Sequence, residues 1–293
     1  MACPSDQSTP TGVIRNLTPA DQAGGLKLST EASWNQNASD WQLLAATCWG
    51  RGMAVAGCGL VGTAMVWPLS GDYAWINMVL VTPDHRGRGI ARSLMENLLQ
   101  EIENQGRIAF LDATEMGEGL YRKLGFRDGP RLLRLRRESA ATNAPKPTTA
   151  GLRPMRPADL EAVASLDHAT FGLDRRELLE NFLTRCPLSA WVAESAAGQI
   201  EGFVTARNGR LATQLGPVVA RDRGQAECLL QAALQSIDGP AILDVPAVDT
   251  AWLEAVKAVG FVVQRGFMRM TRGEHALATD WSRYFAISGP DFA

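Results

Sequence analysis

The clearest pattern of apolar and polar positions in the chain lies in residues 75–102, where a strand, a loop and a helix are predicted. Residues 76–81 are mostly apolar or β-branched, and Thr82-Pro83-Asp84 ends the strand because proline cannot donate a ladder hydrogen bond. Beyond them, apolar residues recur at the helical period, which predicts an amphipathic helix. These residues are Ile90, Leu94, Leu98 and Ile102, with Ala91, Met95 and Leu99 beside them.

The loop between this strand and helix is basic and rich in glycine, with the sequence Arg86-Gly87-Arg88-Gly89. Glycine lets the backbone come close to a ligand, and the unpaired N–H groups of a first helical turn point outward with the positive end of the helix dipole. The arginines add positive charge. The loop therefore predicts a site for a phosphate or diphosphate group.

Other segments before residue 138 continue this alternation of strands and helices. A strand is predicted at residues 13–17, followed by a helix start at Pro19. The apolar runs 53–59 and 60–67 predict a hairpin that leads into the central strand, and further strands are expected at 108–112 and 133–136. This alternation of strands and helices is that of an α/β protein.

The second part of the chain repeats the first. Residues 152–159 (LRPMRPAD) match residues 14–21 (IRNLTPAD) at an offset of 138, and Gly260-Phe261 matches Gly125-Phe126 at an offset of 135. The segment between the copies is rich in alanine, threonine and proline, which predicts an extended linker. We therefore expect a first domain at residues 11–137, a linker at 138–150 and a second domain at 151–293.

Composition narrows the functional class. The 293 residues include 46% hydrophobic and 20% charged residues with a net charge of −2, which gives no general attraction for nucleic acid or anionic membranes. Residues 1–11 are polar and unlike a signal peptide, and no run of 18 apolar residues occurs, so a cytoplasmic location is expected. Three histidines and scattered cysteines predict no metal site.

Two motifs resemble the signatures of the GCN5-related N-acetyltransferases. Arg86-x-x-Gly89-x-Ala91, between a strand and a helix, is similar to the acyl-CoA loop of the family. Leu120-Tyr121 followed by Gly125-Phe126 is similar to its second signature. The alternative to an acyl-CoA loop is a solvated basic turn before a surface helix, and it explains only the first motif. The whole chain resembles bacterial tandem members of this superfamily with a diverged second copy.

The resemblance implies two GNAT-type domains, each a mostly antiparallel mixed sheet flanked by helices. It also implies transfer of an acetyl group from acetyl-CoA to an amine, by direct attack in a ternary complex. Tyr121 would be the catalytic acid that protonates the leaving thiolate, the alternative being a packed tyrosine bonded to main chain. The implied cofactor-binding residues are Val79, Leu80, Val81, Arg86, Gly87, Arg88, Gly89, Ile90, Ala91, Arg92 and Thr114.

Other parts of the chemistry stay open at the level of sequence. Asp112, Glu115, Glu118 and His85 are all candidates for a general base, and their spacing does not single one out. The acceptor is a small-molecule amine, a protein N-terminus or a lysine side chain, and the competing class is a non-catalytic acyl-CoA-binding sensor or scaffold.

Residues that line the acceptor side are equally open. Trp34, Asn35, Asp72 and Tyr73 are candidates, with the second domain as a further wall, whereas core or lid packing is the main interpretation of Trp34 and Trp41. The acids Asp112 and Glu118 hint at a cationic amine.

The second copy differs from the first at positions that would face a ligand. Arg221 follows Val219 by two residues, whereas Arg86 follows Val81 by five, so its loop is short for a diphosphate. Pro217 removes a strand N–H, and Val256 replaces the tyrosine. A second loop match at residues 221–226 keeps anion binding there open. We expect the second domain to bind no acyl-CoA in the usual way.

Overall fold

The computed structural model describes residues 12–139 and 151–293. The predicted linker therefore lies outside the described residues except at 138 and 139, and so does the polar segment 1–11. The strands are β1 (Val13–Asn16), β2 (Trp49–Val55), β3 (Gly59–Trp67), β4 (Tyr73–Val81), β5 (Ile108–Thr114), β6 (Arg127–Arg137), β7 (Leu152–Pro154), β8 (Trp191–Glu194), β9 (Ile200–Asn208), β10 (Thr213–Val219), β11 (Ala241–Pro246), β12 (Val262–Arg272) and β13 (Tyr284–Ala286).

The helices lie on the faces of the sheet that these strands form. They are α1 (Gln22–Glu31), α2 (Ala38–Thr47), α3 (Ile90–Asn104), α4 (Glu115–Lys123), α5 (Leu160–Phe171), α6 (Arg176–Arg185), α7 (Arg223–Leu234) and α8 (Thr250–Ala258). Helix α3 buries Ile90, Leu94, Met95, Leu98, Leu99 and Ile102 against the sheet, which confirms the predicted apolar face. Short 3-10 turns begin at Pro19 and Pro157, at the matching positions of the two copies.

The two halves of the chain share one continuous sheet. Its order is β1-β2-β3-β4-β5-β12-β6-β11-β10-β9-β8-β7, with β13 paired to β10 on its own. Most neighbours are antiparallel, and β4–β5 and β10–β11 are parallel. The predicted mixed, mostly antiparallel sheet flanked by helices is confirmed, and the sheets of the two domains are joined edge to edge.

The joint is made by an exchange of strands β6 and β12 between the two halves. Strand β12 of the second half lies between β5 and β6, pairing Phe267 with Thr114 on one side and with Leu132 on the other. Strand β6 of the first half then pairs with β11, with Leu135 opposite Leu243. Each half therefore completes the sheet of the other, and side chains of β12 reach the cleft of the first half.

Strand β4 separates from β5 partway along its length. The parallel ladder runs from Tyr73 opposite Ile108 to Trp75 opposite Phe110 and ends there. On its other side β4 stays paired with β3, but the register shifts around Met78, which adopts a positive φ of 48°. Such a bulge bends a strand away from its neighbour. The backbone of residues 76–81 is left with an open edge facing β5.

The second half has the same separation between β10 and β11, but another strand fills it. The β10–β11 ladder ends at Leu215 opposite Leu243. Beyond that point β13 pairs with β10, with Ala286 opposite Val218 and Tyr284 opposite Val219. No corresponding strand lies against β4 in the described part of the first half.

The described residues contain neither a membrane-spanning helix nor a cluster of metal ligands. Within residues 12–139 and 151–293, no helix combines the length and apolarity needed to cross a membrane. The same residues contain no group of three or more His, Cys, Asp or Glu side chains placed to hold a metal ion.

Candidate active site

The basic loop after β4 presents backbone N–H groups that donate to no other group among the described residues. Gly87 and Gly89 have positive φ angles of 75° and 78°, and a Cβ atom at either would meet open space. Ser93 is the first residue of α3 with a bonded amide, to the carbonyl of Gly89. In the described chain the amides of Gly89, Ile90, Ala91 and Arg92 have no acceptor. The loop thus keeps a set of free donors at the positive end of a long helix.

A cleft of about 670 Å³ runs from this loop along the open edge of β4 to α4. Of the predicted cofactor-binding residues, those that line it are Val79, Leu80, Val81, Arg86, Gly87, Gly89, Ile90, Ala91, Arg92 and Thr114. Arg88 is the exception, because its guanidinium donates to the carbonyl of Asp84, 3.0 Å away. Glu31, Trp34 and Met116 complete the walls on the first-half side.

Tyr121 lies where this cleft narrows. Helix α4, which follows β5, carries it, and its ring packs edge-on against Phe126 with centroids 5.9 Å apart. Its hydroxyl has no hydrogen-bond partner among the described residues, so the alternative of a hydroxyl bonded to main chain is absent from this structure. Burial raises the pKa of Tyr121, which keeps the hydroxyl protonated at neutral pH.

A smaller inner cavity of about 60 Å³ continues the cleft beyond Tyr121. The two spaces share Trp34, Val79, Thr114, Tyr121 and Arg265, which form the neck between them. The inner cavity is otherwise lined by both halves of the chain, through Gln36, Ile76, Asn77, Met78, Leu111, Asp112, Arg134, Phe267, Pro290 and Asp291. The second half therefore walls the inner side of the cleft.

The four candidate bases have different surroundings. The buried carboxylate of Asp112 accepts two hydrogen bonds from the guanidinium of Arg269, from Nε at 2.8 Å and from Nη2 at 2.9 Å. Glu118 accepts from Arg122 at 2.7 Å. Glu115 and His85 line the outer cleft, and Nδ1 of the buried His85 has no partner in the described residues. The hint of a cationic acceptor is weakened, because arginines already neutralise both acids on which it rested.

Of the candidates for the acceptor side, some line the cleft and others do not. Trp34 lines both spaces, and Trp41 is a core residue whose indole N–H donates to Ser29 at 3.0 Å. Asn35 is buried against the second half, where its side-chain oxygen accepts the amides of Leu211 and Ala212. Asn35, Asp72 and Tyr73 line neither the cleft nor the inner cavity.

The corresponding loop of the second half is filled by the protein itself. The carboxylate of Asp222 accepts the amide of Gln225 at 2.9 Å, and the Gln225 side chain accepts the amide of Arg221 at 2.8 Å. Arg221 is paired with Glu201. Val256, at the position of the tyrosine, is fully buried. The strand edge beside it carries β13, as described above.

Sequence reasoning missed the second-half residues that enter the first-half cleft, chiefly Arg265, Phe267 and Asp291. No sequence signal identified them, because the repeat aligns β12 with β6 and says nothing about which half each strand joins. Asn77 and Gln36 were missed as well. They lie close in sequence to the predicted residues Val79 and Trp34, and that proximity was the one signal available.

Comparison with protein families gives two matches. Residues 47–128 and residues 163–286 each match a family model described as an acetyltransferase (GNAT) domain. Each match lies inside one of the two predicted domains, and together they include the basic loop, α4 and most of the second copy. A curated relative, an uncharacterized N-acetyltransferase named YitH from Bacillus subtilis (strain 168), is 25% identical over 195 residues, which cover 66% of this chain and 67% of the relative.

Solved structures of similar fold span nearly the whole chain. A putative acetyltransferase from Pyrococcus horikoshii has a TM-score of 0.77 at 21% identity, covering 100% of this chain and 99% of that one. A GCN5-related N-acetyltransferase from Sphaerobacter thermophilus has a TM-score of 0.68 at 17% identity, covering 92% and 98%. A tandem GNAT protein from the clavulanic acid biosynthesis pathway has a TM-score of 0.62 at 16% identity, covering 90% and 100%. At these identities the likeness concerns the fold, tandem arrangement included.

Proposed function

We propose a specific reaction for this chain from the premise that it belongs to the GCN5-related N-acetyltransferase superfamily, as a tandem pair of GNAT domains and hence an acyltransferase. The proposed reaction is transfer of an acetyl group from acetyl-CoA to a primary amine, by direct attack within a ternary complex. The active site is formed by the first half, residues 11–137, and the second half, residues 151–293, contributes walls without binding a cofactor of its own.

The observation that carries this proposal is the continuity of three features along one cleft. Within residues 12–139 and 151–293, free backbone donors lie at one end, an unpaired strand edge follows, and a tyrosine hydroxyl without a hydrogen-bond partner lies at the neck. Acetyl-CoA has a diphosphate, then a pantetheine arm with two amides, then a thioester, in the same order. A diphosphate fits the loop by charge and by its free amides, and an extended amide arm fits the edge of β4 as an added strand would.

The residues of this chain divide the chemistry among them. When the amine attacks the thioester carbon, a C–N bond forms and negative charge develops on the oxygen, where a backbone N–H of the bulged strand around Val79 would stabilise it. The C–S bond then breaks, and the proton of the Tyr121 hydroxyl passes to the sulfur. Tyr121 recovers a proton from solvent, and the amine loses one to a base that the geometry leaves unassigned.

The raised pKa of Tyr121 is compatible with this role. A free thiol has a pKa of about 8.5 and a free phenol about 10, so the transfer is uphill in water. Burial disfavours the charged form of both groups, and the thiolate would be generated in the same confined neck as Tyr121. The thiolate is therefore a stronger base there than in solution, and the tyrosine is always available in its protonated form.

The proposal is tested by measuring CoA release, corrected for hydrolysis, with acetyl-CoA and a broad panel of amines. We expect saturable acetyl-CoA binding and turnover with at least one amine, together with mass-spectrometric detection of its N-acetyl product. Tight acetyl-CoA binding with no turnover on any amine would favour the non-catalytic sensor. Absence of acetyl-CoA binding would contradict both the acetyltransferase and the sensor.

A further inference from the structure

The charged groups around the inner cavity are balanced except for one. Asp112 is paired with Arg269, and Asp291 accepts from Arg207 at 2.7 Å. Arg134 forms two hydrogen bonds to Asp244, at 2.8 and 2.7 Å. Each of these groups therefore has an oppositely charged partner in the protein.

Arg265 is the exception. It enters the neck from β12 and lines both the outer cleft and the inner cavity, yet its side chain makes no hydrogen bond and no ion pair with any other described residue. Its Nε atom is buried without a partner, and its guanidinium carbon lies 5.0 Å from the centroid of the Phe267 ring. Burial, with the charge of Arg134, lowers the pKa of Arg265 to about 10, so the side chain is still cationic at neutral pH.

A half-buried cation without an ion-pair partner carries a desolvation cost, and the nearby carboxylates of Asp244 and Asp291 offset only part of it. Arginine offers a planar fork of donors that matches a carboxylate in geometry. An anion in the neck would supply the missing partner. The inner cavity, of about 60 Å³, has room for a few non-hydrogen atoms, which suits a carboxylate better than a bulky anion.

Two orphan acceptors lie in the same cavity. Oε1 of Gln36 and Oδ1 of Asn77 are buried and receive no hydrogen bond from the described protein, although the Asn77 amide nitrogen donates to the carbonyl of Asp291. Amine N–H groups are donors and would satisfy such oxygens. The cavity thus offers acceptors for an amine and a cation for an anionic group, and Tyr121 lines the same cavity.

We propose that the acceptor is a small amine that also carries a carboxylate, as an α-amino acid does, and that Arg265 of the second half binds that carboxylate. This inference rests on the proposed function and names the substrate class of the same site. It gives the exchanged strand β12 a role in specificity, because that strand brings the selecting residue into the cleft of the other half. Arg265 is a binding residue here and takes no part in proton transfer.

The test compares three sets of probes on the full chain: the twenty standard amino acids, their carboxamides, and aminoalkylphosphonates. In the wild-type protein we expect kcat/KM for the best amino acid to exceed that for its carboxamide by at least about 30-fold. In Arg265→Met we expect a loss of about 30- to 1000-fold for the amino acid, as for one truncated partner of a buried charge pair, and little change for the carboxamide or for the KM of acetyl-CoA. Arg265→Lys, which keeps the charge, should recover part of the loss.

Arg137→Met is the matched control. Arg137 is buried, has no carboxylate partner among the described residues, and lies 5.7 Å from a phenylalanine ring, as Arg265 lies close to one, but it lines neither the cleft nor the cavity. The Arg137→Met variant should keep the preference for an amino acid over its carboxamide. A preference for phosphonates that Arg265→Met abolishes would retain the role of Arg265 and overturn the choice of carboxylate.

The test separates this inference from the proposed function. Turnover of amines with no dependence on Arg265 would overturn the inference and leave the acetyltransferase intact. Titration calorimetry with the amino acids alone gives a readout that needs no turnover, with saturable binding expected in the wild type and in Arg137→Met and lost in Arg265→Met. If neither turnover nor binding of any carboxylate depends on Arg265, the inference is wrong whatever acetyl-CoA does.

Discussion

Asp112 of β5 and Arg269 of β12 form a two-pronged ion pair, with oxygen–nitrogen distances of 2.8 and 2.9 Å, that joins the first half of the chain to the second. The Asp112 side chain is fully buried and that of Arg269 is 6% exposed. The pair lies where β12 enters the sheet beside β5, and Arg265 is four residues earlier on the same strand. This ion pair, one of several between the halves, therefore also anchors the strand that lines the cleft.

We expect Asp112→Asn to lower the free energy of unfolding by about 3–5 kcal/mol, because it leaves the buried guanidinium of Arg269 without a counter-charge. Chemical denaturation measures the change. The double variant Asp112→Asn with Arg269→Met should be more stable than the sum of the single effects predicts. Lys27→Met removes an exposed pair with Glu31 and should cost under about 1 kcal/mol. A similarly small cost for Asp112→Asn would show that the pair does not hold the halves together.

Local features of the fold could be predicted from the sequence because each follows from neighbouring residues. The α3 face follows from the helical period, and the loop follows from Arg86 to Gly89 between strand and helix. The strand exchange could not be predicted from the sequence. Strands β6 and β12 occupy the same position in the two copies of the repeat, so their backbones would pair equally well with or without the exchange. Arg265 was missed for that reason. Whether its guanidinium has a partner is decided by first-half residues, such as Tyr121 and Arg134, that lie more than 100 positions away in the sequence.

The assignment of the donor loop predicts the effect of Gly89→Val. Its φ of 78° leaves open space where a Cβ would point, and the valine side chain would enter the cleft beside the free amides. We expect the Kd for acetyl-CoA to rise by at least about 100-fold, as for two lost charge-assisted hydrogen bonds. Titration calorimetry measures it.

Gly106→Val controls for backbone strain in that experiment. Gly106 has a φ of 66°, open space around its Cβ position, and a place at the far end of α3. It should lose comparable stability and keep acetyl-CoA binding. Equal affinity in a folded Gly89→Val protein would remove the loop from the donor site.

The role of Tyr121 predicts the effect of Tyr121→Phe. Because the hydroxyl lines the neck without a partner in the described part of the chain, its removal should leave stability nearly unchanged and lower kcat by about 10²- to 10⁴-fold, the usual contribution of a positioned acid. The KM of acetyl-CoA should stay within a few-fold. Tyr73→Phe, outside the cleft, is the control. Wild-type kcat in Tyr121→Phe would assign the tyrosine to packing and the proton to water.

The pH profile follows from the raised pKa of Tyr121. The working form is the protonated phenol, which is present below its pKa and lost as the pH rises through it. Since that pKa lies above the ordinary value of about 10, we expect kcat/KM to rise as the acceptor amine deprotonates and to show no descending limb below about pH 10. A descending limb between pH 8 and 10 that disappears in Tyr121→Phe would contradict a raised pKa.

The last prediction concerns the number of donor sites, because a tandem repeat invites the assumption of two. The two structural requirements for a donor, free amides at a helix start and an unpaired strand edge, are met in the first half alone among the described residues. In the second half the Asp222 carboxylate caps α7, and β13 pairs with β10 where the pantetheine arm would bind.

We therefore expect titration calorimetry to give one acetyl-CoA per chain, and Gly89→Val to abolish binding rather than halve it. Arg221 and Arg223 are the residues that argue against this, since both lie at a helix start, but Arg221 is already paired with Glu201 and Asp222. Asp222→Ala tests the two obstacles separately. It frees the α7 amides while β13 still fills the strand edge, so the stoichiometry should stay at one. A stoichiometry of two in the wild type would make the second half a working donor site. Two sites in Asp222→Ala alone would show that the cap, and not β13, closes it.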